Sequence, residues 1–186
     1  MSKILVSACL AGIKCNYRGR SRTNKKVLEL VERNIAIPVC PEVLGRLPTP
    51  RKAAWILSKD ENYDGNDVLD KRTIVIDESG KDVTENFING AYKVVEIAKQ
   101  YDIELAYLNQ YSPSCGHGIT LGGDEYRRKY IRGDGVTTAL LKRNGVKILT
   151  KEEFEEFYEQ EMCCLKKASK KLEDFFNSYK NEPKNS

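Results

Sequence analysis

The chain has 186 residues, 40% hydrophobic and 31% charged, with 31 basic against 27 acidic side chains for a net charge of +4. That length fits one domain whose core needs no disulfide or metal staple, and the composition excludes a disordered polymer. No apolar run approaches the roughly 18 residues of a membrane span, and the short apolar stretch after Lys3 is not a leader peptide, so a cytoplasmic location is expected.

In chain order, residues 3–8 (KILVSA) read as a buried strand. Residues 23–32 carry helical spacing at Val27, Leu28, Leu30 and Val31, with Ser21 or Thr23 as the cap. Residues 35–39 (IAIPV) form a second short strand, and Pro38 marks it as an edge or terminus. Residues 73–77 (TIVID) alternate and predict a small extra strand. After a turn over residues 80–84, Phe87, Ile88, Ala91, Val94, Val95 and Ala98 give residues 85–100 a strong amphipathic face. Residues 104–108 (ELAYL) are a third strand, residues 135–142 a helix stopped at Asn144-Gly145, and residues 146–149 (VKIL) a fourth strand. Thr150 and Glu153 then make a capping box for a C-terminal helix. Strand–helix alternation predicts an α/β fold: a single Rossmann-like, three-layer domain with a mostly parallel sheet flanked by helices over residues 1–150, and a helical extension over residues 151–186.

In an open parallel sheet, sites form beyond the carboxyl ends of the strands. Cys9 ends the first strand and opens CLAGIKC; Cys40 ends the second and opens CPEVLG; the third runs into SPSCGHG with Cys115. Three cysteines distant in sequence thus converge on one sheet edge. A reducing compartment makes disulfides unlikely partners for them, which leaves buried thiols or a metal centre. Thiolates suit zinc or iron–sulfur clusters, but the chain has no CxxC knuckle, and the five residues between Cys9 and Cys15 are a loose spacing for one. Single cysteines from three loops could instead hold a cubane and leave one iron open. Cys163 and Cys164, in the C-terminal helix, read as small apolar residues.

Other candidates surround these cysteines. Glu42, held after Pro41, is either a general base or a turn-capping glutamate. Ser112 and Ser114 are either hydrogen-bond donors to a ligand or ordinary turn residues. Arg51 is a candidate anion or carbonyl clamp. His117, the one histidine, reads as a loop or core residue before a catalyst. Gly133-Asp134-Gly135 before a helix could offer N–H groups to an anion, although it lacks a P-loop signature. The basic residues from Lys14 to Arg33, seven against Glu29 and Glu32, are a solvated helix face or a phosphate patch.

Five blocks occur in order: VSACLAGIKCNYRG (residues 6–19), PVCPEVLGRLPTPR (38–51), GKDVT (80–84), SPSCG (112–116) and GDGVTTALL (133–141). Together they resemble the thiouracil desulfidase family over about residues 1–150. The resemblance implies an oxygen-sensitive 4Fe–4S cluster held by three cysteines, Cys9, Cys40 and Cys115, with one open iron for a thiocarbonyl sulfur. Cys15 also matches a family cysteine. Glu42 would activate water, and Ser112, ahead of Ser114, would bind or protonate substrate. Arg18 and Arg46 stand where the family tends to have aspartate and glycine, which adds positive charge near the site.

The implied reaction is a non-redox desulfuration of a thiolated base, nucleoside or nucleotide of the thiouracil or 4-thiouridine type. C=S becomes C=O and hydrosulfide leaves. Relatives that act on tRNA carry an added RNA-binding domain with no counterpart here, so tRNA is not the expected partner. The competing readings are an iron–sulfur or persulfide sulfur-carrier module without catalysis, and an α/β domain whose cysteines are structural. A carrier has no use for a positioned base, so Glu42 separates it from an enzyme.

Overall fold

The computed structural model describes residues 3–58 and 63–180. Its elements are β1 (Ile4–Ser7), α1 (Lys25–Glu32), β2 (Ala36–Val39), α2 (Pro41–Leu44), β3 (Ala54–Leu57), α3 (Gly65–Leu69), β4 (Val75–Asp77), α4 (Thr84–Gln100), β5 (Leu105–Tyr107), β6 (Ile119–Gly123), β7 (Arg128–Arg132), α5 (Val136–Arg143), β8 (Lys147–Ile148) and α6 (Lys151–Lys180). They fall into two compact units. Residues 2–149 form one, and the other is built on residues 150–186, of which 181–186 lie outside the described residues.

In the larger unit, β1, β2, β5 and β8 form a wholly parallel sheet in the order β2-β1-β5-β8. β1 is buried along its whole length, as a strand covered on both faces requires. Pro38 sits on β2, an edge strand, where its missing N–H costs no ladder bond. α1 is capped by Asn24, whose side chain accepts from the N–H groups of Lys26 and Val27. The expected cap was Ser21 or Thr23; those residues lie too early because the helix starts only at Lys25. α4 buries Phe87, Ala91, Val94, Val95 and Ala98, the face its spacing predicts.

The α/β class with a parallel-dominated sheet, flanking helices and a C-terminal helix is the one expected. A second, mixed sheet accompanies it, in the order β4-β3-β6-β7. β3 and β6 run parallel, while β4 and β7 pair antiparallel at the edges. Of these strands only β4 was foreseen. β6 (ITLGG) ends in two glycines and β7 (RKYIR) is largely charged and exposed, so neither carries the apolar run of a core strand. One buried apolar cluster includes Leu5, Val39 and Ala106 of the first sheet, Ile56 and Val75 of the second, and the inner face of α4.

Two close approaches fix where the functional loops sit. A Cβ on Gly90 of α4 would stand 2.0 Å from the Pro41 carbonyl oxygen, so only glycine lets α2 pack this tightly on α4. A Cβ on Gly135, at the start of α5, would stand 2.5 Å from the Ser114 carbonyl. The Cys40–Glu42 turn and the Cys115 loop are thus each seated on a helix. In the smaller unit, Thr150 Oγ1 accepts from the Glu153 N–H and Glu153 Oε2 from the Thr150 N–H, the capping box read from the sequence. No helix among the described residues is long and apolar enough to cross a membrane.

Candidate active site

The cysteines arrive at the site on three loops. Beyond β1 the chain turns back on itself: the N–H groups of Ala11 and Ile13 both donate to the Ala8 carbonyl, and Cys15 N–H to that of Ile13. This folds Cys15 back beside Cys9, and the two share a small buried cluster with Ala8, against which Cys40 packs. Cys40 leaves β2 as the cap residue of α2, with Pro41 at the first helical position, where a missing N–H does no harm. Cys115 follows β5. Its loop is pinned by Ser112, whose hydroxyl accepts from the Ser114 and Cys115 N–H groups at 3.2 and 3.3 Å. Thr138 Oγ1 donates to the Cys115 carbonyl at 2.9 Å.

Cys9, Cys15, Cys40 and Cys115 all line one cavity of about 320 Å³, together with Glu42, Ser112 and Arg51. The Cys40 thiol reaches the Cys15 carbonyl at 3.8 Å. The hydrogen bond with Cys40 favours the Cys15 thiolate, but the bond with Cys9 and burial outweigh it and push Cys15 up to about 11. Cys40 is pushed up by its hydrogen bond with Cys15 and by burial. Burial first, then the neighbouring Cys40, pushes Cys115 up to about 12. These thiols keep their protons because each thiolate would be a buried anion beside others. A cationic centre would supply the missing counter-charge, and binding it would release those protons. Soft sulfur donors from three loops around one cavity therefore fit an iron–sulfur cluster. Among the described residues no three His, Cys, Asp or Glu side chains could hold a single metal ion; the thiolates of a polynuclear cluster bind different irons and need not meet at one point.

Glu42 has two distinct oxygens. Oε2 accepts from Arg51 Nε at 2.7 Å, and the two side chains are 16% and 6% exposed. Oε1 lies 3.5 Å from the Ser112 hydroxyl. The Arg51 guanidinium also donates to the carbonyls of Cys15 and Pro48 and to Thr49 Oγ1, at 3.1 to 3.2 Å. These bonds tie Glu42 to the Cys15 loop and engage the guanidinium, the candidate clamp of the sequence, with protein acceptors.

Three other sequence candidates take structural places. Ser114 is fully buried, bonded to Thr137 at 2.9 Å, and does not line the cavity. His117 lies off the cavity wall, with Nδ1 3.3 Å from Asp134. The N–H groups of Gly135, Val136 and Thr137, the anion donors suggested by the sequence, donate instead to Gly116, Pro113 and Ser114 of the Cys115 loop. Asp134 anchors that loop by accepting from Gly118 N–H at 2.9 Å and from Lys142 Nζ at 2.6 Å. Its only sequence signal is an acid between two glycines.

Sequence reasoning missed much of the remaining wall. Arg128 and Tyr130 come from β7, and Tyr130 packs 5.2 Å from the Tyr111 ring. Arg18, Arg22 and Tyr17 also line the cavity, which puts part of the early basic stretch at the site. Ser7, at the end of β1, lines the cavity and accepts from Asn109 N–H at 2.8 Å.

Residues 4–153 match the family described as 2-thiouracil desulfurase. The chain is 40% identical over 150 residues to YbbK of Bacillus subtilis (strain 168), an uncharacterized protein, covering 81% of this chain and 96% of that one. Its fold matches a solved structure of TudS, a [4Fe-4S]-dependent thiouracil desulfidase, with a TM-score of 0.69 and 35% identity over 84% of this chain and 95% of the other. The family read from the five sequence blocks is thus the family matched.

Proposed function

Because the chain belongs to the 2-thiouracil desulfurase family, we propose that it is a non-redox desulfidase acting on a thiolated pyrimidine base, nucleoside or nucleotide. Water supplies the oxygen of the new C=O, sulfur leaves with the water's protons as hydrosulfide and a proton, and no electrons are gained or lost. The observation that carries this reading is Glu42 and Ser112 side by side on the wall of the cavity that holds the cysteines.

Cys9, Cys40 and Cys115 would hold a 4Fe–4S cluster with one iron free of protein ligands. Bound there, it would supply a Lewis acid for the thiocarbonyl sulfur. The chain's own residues do the rest. Arg51 occupies Oε2 of Glu42 and leaves Oε1 to take the proton of an attacking water. The Ser112 hydroxyl, oriented by the two N–H groups it accepts, offers its own proton beside Oε1 and can hand it to the departing sulfur or the ring. Tyr111 and Tyr130 give the base an aromatic wall. Arg18, Arg22 and Arg128 give a nucleotide phosphate its counter-charge. All of this chemistry belongs to residues 1–150 and works in the reducing cytoplasm, with residues 151–186 as a C-terminal extension.

The test is an anaerobic panel on iron-reconstituted protein: thiouracils, thiouridine, thiouridine monophosphate and thiolated tRNA, with hydrosulfide and loss of the thiocarbonyl absorbance as readouts. Multiple turnovers on a free base, nucleoside or nucleotide, and none on tRNA, is the expected result. No more than one sulfide per protein on every substrate would instead favour the sulfur carrier.

A further inference from the structure

Three thiols suffice for the cluster of the desulfidase reading, yet four line the cavity: Cys15 shares the wall with Cys9, Cys40 and Cys115. A cubane has four irons, and each can take a thiolate. The iron that Cys9, Cys40 and Cys115 leave over thus has a soft protein donor of its own kind in the same cavity.

Cys15 is held differently from the other three. Cys9 stands just beyond β1, and Cys40 directly follows β2. The Cys115 backbone is pinned on both sides, its N–H by Ser112 and its carbonyl by Thr138. Cys15 adjoins no strand. It lies between two turns, one closed by Ile13 N–H on the Ala8 carbonyl and the other by Gly19 N–H on the Asn16 carbonyl. Its own carbonyl accepts from the Cys40 thiol at 3.8 Å and from Arg51 Nη2 at 3.1 Å. Nε of the same guanidinium donates to Glu42 Oε2. One planar fork thereby ties the backbone of the fourth thiol to the carboxylate that the desulfidase reading sets beside the substrate.

We propose, resting on that reading, that Cys15 is an exchangeable fourth ligand, closing the open iron while no substrate is bound and yielding that place to the thiocarbonyl sulfur. One iron–sulfur bond breaks and one forms. The Cys15 thiolate leaves with its electron pair and takes a proton, while the thiocarbonyl sulfur donates a pair of its own, so the cluster is neither oxidised nor reduced. Cys15 returns to the iron, losing that proton, once hydrosulfide has gone.

The experiment is Mössbauer spectroscopy on wild type and Cys15→Ser, both reconstituted anaerobically with isotope-enriched iron. Resting wild type should show only thiolate-bound iron, whereas about a quarter of the iron in Cys15→Ser should be distinct. The distinct fraction should also appear in wild type frozen during turnover of excess thiouracil. Ferricyanide should strip one iron from resting Cys15→Ser before it does so from wild type, seen as the paramagnetic signal of a three-iron cluster. A distinct iron in resting wild type overturns the proposal. Loss of the whole cluster in Cys15→Ser does so too, by making Cys15 a permanent ligand. A wild-type spectrum that thiouracil leaves unchanged overturns the exchange. Sulfide yield is scored separately: many turnovers by a wild type whose resting cluster has a distinct iron would remove the Cys15 role and leave the desulfidase reading standing.

Discussion

In the proposed reaction Glu42 is the base, and its two oxygens have different neighbours. Arg51 takes Oε2 and Ser112 stands near Oε1. Glu42→Gln keeps the shape but cannot accept a proton, so it should retain iron and lose turnover by about 10²–10⁴. Iron content and hydrosulfide yield on one anaerobic preparation check this, and loss of iron would make Glu42 a support of the cluster. Arg51→Met strands a largely buried carboxylate and should destabilise the apo protein by about 3–5 kcal/mol, measured by urea unfolding. Cys9→Ser, Cys40→Ser and Cys115→Ser should each abolish iron binding, while Cys15→Ser keeps it. Full iron in one of the first three would move that ligand role to Cys15, which lines the same cavity. These cysteines and Glu42 were legible because strand ends and turn residues locate them. The engagement of Arg51 was not, since its acceptors on Glu42 and Cys15 are 9 and 36 positions away in sequence.

At the scale of elements, the Cys115 loop depends on α5 and on Asp134. Burial disfavours the Asp134 carboxylate, but Lys142, the Gly118 N–H and His117 outweigh it and hold the carboxyl below its usual range. A carboxyl whose folded pKa lies below its unfolded value of about 3.9 contributes stability that is complete above that pH. The contribution is lost as pH falls through the folded pKa. Asp134→Asn should therefore lower stability at neutral pH and flatten the acid limb of the stability–pH profile. Denaturant unfolding between about pH 2 and 7 reads both, and a wild-type acid limb in the variant would contradict this assignment. The same scale shows why the second sheet escaped the sequence. The β6–β7 turn is organised by Asp124, which accepts from the N–H groups of Tyr126 and Arg127. Register there comes from turn chemistry and long-range pairing, and the strands carry glycine and charge where a buried strand would show Val or Ile. β1, α4 and the α6 capping box, by contrast, each state their structure locally.

For the whole molecule, the catalytic account lies within residues 4–153, where the family match runs, and α6 extends beyond it. Leu172→Asp should accordingly leave turnover per iron-loaded chain within about twofold of wild type, because Leu172 lies beyond the residues the family match covers. The most direct measurement of the central claim is product stoichiometry: hydrosulfide and uracil formed from thiouracil by the reconstituted wild-type protein, under anaerobic conditions and without any reductant. The account predicts equal amounts of both over many turnovers. Sulfide that appears only when a reductant is added, or that stops at one equivalent per chain, would contradict it.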